Sequence, residues 1–322
     1  MSKIALIFGI SGQDGAYLAK FLLGKGYIVH GTSRDSEIAQ FPSLKRLGIK
    51  EKITFHSVAL NDFRSILKIL EKVSPIEIYN LAGQSSVGLS IEQPLETLES
   101  IANATLNILE AIRFINSNCR FYNASSSECF GDTWGKPADE NTPFRPKSPY
   151  GVAKASAFWQ VSTYRESYGL YACSGIMFNH ESILRPSRFV TRKICQSAAN
   201  IALGKQKILT LGDLSIKRDW GWAPEYVQAM WRMLQQDVAE DFVIATGKFY
   251  GLDDFVREAF ASLSLDWKKY VIIEESLKRP SEIRSGYGSP LKAKDKLNWE
   301  AQTFMPEIAS LMVKEEFNYL NR

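Results

Sequence analysis

Apolar positions gather in short runs separated by longer amphipathic stretches, and this alternation sets the expected architecture. Lys3-Ile-Ala-Leu-Ile-Phe8 is an apolar run of the kind found in a strand buried on both faces. Runs at 28–32, 53–57, 76–81, 120–124 and 171–178 repeat the signal. Between them, residues 62–73, 95–115 and 148–168 carry helical patterns. Strands alternating with helices predict an α/β protein with a doubly wound parallel sheet covered on both faces. Beyond residue 178 the elements become shorter, more irregular and richer in Arg, Lys and Trp, which predicts a smaller C-terminal substrate lobe. Residues 1–178 are expected to form the first domain and 179–322 the second, with some chain crossing back. The second is expected to hold helices at 189–203, 223–236, 252–263 and 304–317 and a strand at 241–245.

Composition narrows the function classes. The chain has 322 residues, 45% of them hydrophobic, which is ample for a large core. Cys119, Cys129, Cys173 and Cys195 form no CxxC pair, and with three histidines no metal cluster is visible, so no metal is expected. Reduced thiols, a first strand beginning within three residues and no apolar run of transmembrane length predict a cytoplasmic protein without a membrane partner. A net charge of +4 is too mild to argue for nucleic acid but suits small anionic ligands.

Candidate chemistry starts at the end of the first strand. Gly9-Ile-Ser-Gly-Gln-Asp-Gly15 reads GxxGxxG between a strand and a helix, where glycines permit a tight turn and close approach of backbone to a pyrophosphate at the helix N-terminus. Gly9, Ser11, Gly12, Gln13, Asp14 and Gly15 are therefore candidate cofactor residues in a Rossmann-type domain. At the end of the second strand, Arg34 stands where a guanidinium can grip a 2′-phosphate, which favours NADP, although Asp35 follows it. Leu81 and Ala82, after Asn80, end another strand at the nicotinamide side. The strand at 120–124 delivers Ser125, Ser126, Ser127 and Glu128 into the same cleft. Tyr150 and Lys154 are four residues apart and share a helix face, with Ser148 as cap and Pro149 in the first turn. A cation beside the phenol is expected to lower its pKa toward neutrality and make it an acid/base. His30 and His56 read as packed strand residues, and His180 is given no chemistry.

The order GxxGxxG, Ser/Glu strand end and YxxxK resembles the extended short-chain dehydrogenase/reductases that act on nucleotide sugars, and more closely the GDP-mannose 4,6-dehydratase family. The phrases that carry the resemblance include Ser148-Pro-Tyr-Gly151, Phe178-Asn-His-Glu-Ser182, Lys217-Arg-Asp-Trp-Gly221 and Arg279-Pro-Ser-Glu282. They run from residue 3 to about residue 299. The resemblance implies nucleotide contacts at Asn179, Val190, Lys193, Arg218, Arg279 and Glu282, and a sugar contact at Ser85. Ser126 stands where the family usually has Thr, and Ala59 where many relatives have an Asp for the adenine, a contact Asn61 or Asp62 is left to supply. Trp220, Trp222 and Trp231 are expected in the core rather than stacked on a base.

A 4,6-dehydratase oxidises carbon 4, removes water across carbons 5 and 6, and returns the hydride to carbon 6. The resemblance gives Tyr150 the carbon-4 hydroxyl proton, Ser126 the oxygen, and Glu128 the carbon-5 proton and the departing hydroxyl. The expected substrate is GDP-mannose or a GDP-linked manno-heptose. One rival is an NADP-dependent 4-reductase or epimerase of the same fold; the other, from a different class, is a cofactor-binding scaffold that has lost catalysis. A homodimer through the helices at 95–115 and 148–168 is expected.

Overall fold

The computed structural model describes residues 3–115, 117–277 and 283–321. Six strands follow the expected runs: β1 (Ile4–Phe8), β2 (Ile28–Ser33), β3 (Thr54–Ser57), β4 (Glu77–Asn80), β5 (Arg120–Ser126) and β6 (Ala172–Met177). With the strand Phe242–Ile244 they make one seven-stranded sheet, ordered Phe242–Ile244, β6, β5, β4, β1, β2, β3. Every pairing in it is parallel. Strand order reverses between β1 and β4, so the crevice outside their C-terminal ends is the switch point where such sheets bind ligands.

Two strand faces need two helical layers. Tyr17, Leu18 and Leu22 of the helix Gln13–Gly24 cover one face. Ile66, Leu70, Ile108 and Val161, from the helices Phe63–Val73, Ala104–Phe114 and Pro149–Tyr168, cover the other. The helix Pro149–Tyr168 starts as expected: the Ser148 hydroxyl accepts from the Gly151 N–H at 3.1 Å, and Pro149 fills the first turn. It ends at Gly169, whose φ of +69° is left-handed. The pattern at 95–115 is not one regular helix. It divides into Pro94–Leu98, a wide turn at Glu99–Asn103 and Ala104–Phe114.

Two elements expected in the C-terminal lobe belong to the sheet instead. Phe242–Ile244 is buried on both sides and pairs with β6, because a fully apolar triplet loses most water contact inside a sheet. The helix Ala223–Met233 packs on Gln13–Gly24 and contributes Tyr226, Val227, Met230 and Met233 to that core. What remains is a smaller cluster around Trp220, built by the helices Val190–Ala202, Leu252–Ala261 and Met305–Leu320. Trp220 is in the core, as expected, and Trp231 packs edge-on against Phe21. Immediately after β6, the strand Asn179–Glu181 pairs with Trp220–Trp222 and leads the chain from the sheet into this lobe.

Candidate active site

Between sheet and lobe lies a cleft of about 970 Å³ at the C-terminal ends of β4, β5 and β6. The turn after β1 borders it through Asp14. Gly9 has φ +83°, and a Cβ there would stand 2.7 Å from the Leu81 carbonyl carbon and the Ala82 nitrogen. Glycine thus lets the turn close against the end of β4. A Cβ on Gly15 would collide with the Gly9 carbonyl oxygen, so this glycine brings the helix against the turn. Gly12 caps the helix without a side-chain hydrogen bond, which suits N–H groups that receive a phosphate. These features fit a dinucleotide cofactor. Ser11 is exposed beside them.

Gln13 and Asp14 do more than border a phosphate. The Gln13 amide donates to the His180 carbonyl at 3.1 Å and to Asp14 at 3.0 Å, and its oxygen accepts from Ser182 at 2.7 Å. Asp14 Oδ2 lies 2.9 Å from His180 Nε2, while His180 Nδ1 lies 2.7 Å from the Phe178 carbonyl oxygen. Burial opposes charge on both groups, but each holds the other ionised: the Asp14 pKa is lowered and the His180 pKa raised. His180, given no chemistry from sequence, thus clamps the Gly-rich turn to the strand that carries Asn179. A sequence does not show the Asp14–His180 contact, because the partners are 166 residues apart.

The ends of β4 and β5 are locked together by a buried network. Asn80 Nδ2 donates to Thr105 Oγ1 at 3.1 Å and to Asn123 Oδ1 at 3.0 Å. Leu81, Ala82, Ser126, Glu128, Tyr150 and Lys154 all line the cleft. The Ser126 hydroxyl accepts from the Glu128 N–H at 3.2 Å and holds the one-turn helix Ser127–Cys129. Tyr150 and Lys154 are buried on one helix face, as their spacing requires. Gly151 between them is needed: a Cβ there would meet the Glu128 carbonyl oxygen at 2.7 Å.

The electrostatics differ from expectation at Tyr150. Burial pushes its pKa up; a hydrogen bond from Ser126 opposes this and the Glu128 charge adds to it. Lys154 does not offset the burial, since its ammonium donates to the Ala124 carbonyl at 2.6 Å and sits 5.9 Å from the phenol ring centre. Burial also lowers the Lys154 pKa to about 8. Cys129 is inert, its thiol pushed up to about 11 by burial.

Ser85, Asn179, Val190, Lys193 and Arg218 also line the cleft. Lys193 Nζ donates to the Thr210 carbonyl at 2.8 Å, and Arg218 donates to the Lys217 carbonyl at 3.0 Å. Arg279 and Glu282 lie outside the described residues. Arg185, Arg188 and Arg284 join this lining unforeseen, although Arg185-Pro-Ser-Arg188 stands between two phrases singled out in the sequence. Arg34 is exposed at the end of β2, away from the cleft lining. Asp35 turns back on its own loop, accepting from Glu37 and Ile38 N–H at 3.0 and 3.3 Å. Asp62 caps the helix Phe63–Val73 by accepting from Arg64 N–H at 3.1 Å. His30 and His56 pack as neighbours on β2 and β3, their rings stacked at 5.1 Å.

A parallel sheet with this turn and this Ser/Glu/Tyr/Lys constellation is the architecture of the short-chain dehydrogenase/reductases. The dTDP-glucose 4,6-dehydratase DesIV of Streptomyces venezuelae, solved with NAD, superimposes with a TM-score of 0.86 at 18% identity, covering 99% of this chain and 98% of that one. RMD from Pseudomonas aeruginosa, complexed with NADPH, gives a TM-score of 0.82 at 20% identity and covers 99% of each chain. The family model described as GDP-mannose 4,6 dehydratase matches residues 6–312. GDP-mannose 4,6 dehydratase 2 of Arabidopsis thaliana is 43% identical over 330 aligned residues, 99% of this chain and 88% of the relative. The chain belongs to the GDP-mannose 4,6-dehydratase family.

Proposed function

We propose that the protein catalyses the 4,6-dehydration of GDP-mannose to the GDP-4-keto-6-deoxy sugar, as a hydro-lyase that carries the hydride internally. The observation that supports this most directly is the meeting of Ser126, Glu128, Tyr150 and Lys154 in one cleft, in a chain of this family. The same-fold alternative, a 4-reductase or epimerase, is not favoured, since the whole-chain relative is a dehydratase. Gly9, Gly12 and Gly15 would cradle the cofactor pyrophosphate, with Leu81 and Ala82 at the nicotinamide side. NADP supplies a hydride acceptor, and in its oxidised form a positive charge in the cleft that opposes the burial penalty on Tyr150. Tyr150 takes the carbon-4 hydroxyl proton while Ser126 holds that oxygen. The ketone so formed acidifies carbon 5; Glu128 removes that proton and gives one to the departing carbon-6 hydroxyl, after which the hydride taken from carbon 4 would return to carbon 6 as carbon 5 takes up a proton. Lys154 holds the β5 end through Ala124.

NADP rather than NAD is our reading because Arg34 is exposed at the end of β2 and the Asp35 carboxylate is turned onto its own loop. Lys193, Arg218, Arg185 and Arg188 suit the diphosphate of the GDP-sugar. A homodimer is supported by apolar side chains left exposed on the two paired helices, among them Leu95 at 77% and Trp159 at 59%.

The test follows one hydrogen. Deuterium at carbon 4 of GDP-mannose should appear at carbon 6 without net use of NADP, and solvent deuterium should enter at carbon 5. Glu128→Gln should slow elimination by about 10²–10⁴. Stoichiometric consumption of NADPH with a 4-keto sugar, leaving carbon-4 deuterium untouched, would establish the reductase instead.

A further inference from the structure

Trp134 is a large, exposed side chain in the cleft to which the proposed reaction gives no role. It follows Glu128 by six residues, lines the same cleft and is 76% exposed. Its φ is +52°, in the left-handed region that bulky residues rarely adopt. The surrounding contacts hold this conformation from both sides. Asp132 Oδ1 accepts from the Trp134 N–H at 2.8 Å, and Asp132 Oδ2 accepts from the Arg284 N–H at 2.9 Å. Thr133 N–H donates to the Ser285 carbonyl at 3.3 Å, and Gly135 N–H donates to the Ser285 hydroxyl at 3.1 Å. A fixed loop therefore holds an indole out of the core, at a backbone cost and with its apolar surface in water. Strain that the surroundings enforce is a mark of functional positions.

The loop stands on the Glu128 side of the cleft. Thr133 and Glu128 line a small cavity together with Asn179 and Arg218. We propose that Trp134 determines substrate specificity by stacking its indole on the sugar ring, at the carbon-5 and carbon-6 end that Glu128 serves. This rests on the nucleotide-sugar reading given above. A pyranose presents flat C–H faces, and an indole offers a matching apolar face with an N–H at its edge for a hydroxyl. Lys193, Arg185, Arg188 and Arg218 would then hold the diphosphate while Trp134 selects what it carries.

The experiment uses full-length protein loaded with NADP, in the Glu128→Gln background where turnover is slow. Intrinsic fluorescence and calorimetry are recorded with GDP-mannose and with GDP. GDP-mannose should change indole emission, GDP alone should not, and Trp134→Phe should abolish the change. Trp134→Gly should weaken GDP-mannose about tenfold or more while GDP affinity stays within about twofold, the pattern of a contact made only to the sugar. It should melt no lower than the parent, because glycine accepts the left-handed backbone. Unchanged GDP-mannose affinity in Trp134→Gly overturns the proposal, as does a Trp134-dependent signal with GDP alone. If the parent binds neither GDP nor GDP-mannose, the nucleotide-sugar reading falls and this proposal falls with it.

Discussion

Replacing His180 with Gln should cost stability in a way that depends on pH. His180 Nε2 lies 2.9 Å from Asp14 Oδ2, with the two side chains 9% and 25% exposed. At that separation, an effective dielectric of about 20 gives an attraction of roughly 6 kcal/mol, most of it offset by desolvation. Breaking one side of a buried pair costs about 3–5 kcal/mol. The partial exposure of Asp14 puts the expected loss at the lower end, about 3 kcal/mol. Because the folded pKa of His180 is raised, its contribution is fully present below the unfolded value of about 6.5 and is lost as pH rises through the folded value. The lowered Asp14 contributes above about 3.9 and is lost as pH falls through its depressed folded value. The gap between parent and H180Q should therefore be widest near about pH 5.5 and shrink toward about pH 9. Loss of stacking on Tyr226, whose ring centre is 4.7 Å away, adds an offset that does not vary with pH. Thermal melts at the two pH values test this, with a gap of about 4–5 °C expected at the lower one. A double-mutant cycle with Asp14→Asn isolates the pair. Equal gaps at both pH values, or no coupling in the cycle, would refute the argument.

Three further outcomes are expected. NADP should bind more tightly than NAD, and Arg34→Ala should narrow that preference by about 1–2 kcal/mol, as equilibrium titration would reveal. Gly151→Ala should lower activity and destabilise by about 1–3 kcal/mol, because the new Cβ meets the Glu128 carbonyl; urea unfolding and a progress curve measure both. Light scattering should find a dimer that Leu95→Glu and Trp159→Glu together dissociate, whereas a monomeric parent would end that reading.

Much of this protein is legible along the chain, wherever the determinant is local. Buried parallel strands need continuous apolar runs, so β1 to β6 could be read one by one. The GxxGxxG turn, the Ser148 cap and the Tyr150/Lys154 spacing depend on neighbours a few residues apart, and each keeps its expected geometry. Tertiary structure decided what depends on distant partners. The triplet Phe242–Ile244 could close either layer by its pattern; only packing against β6 placed it in the large sheet. The Tyr150 pKa moved opposite to expectation because burial and the Glu128 charge act from surroundings that the YxxxK spacing does not contain. His180 acquired a role only when folding set its imidazole against Asp14. Local propensity and periodicity are written in short sequence windows, whereas desolvation and charge pairing exist only once the chain has brought remote side chains together and excluded water.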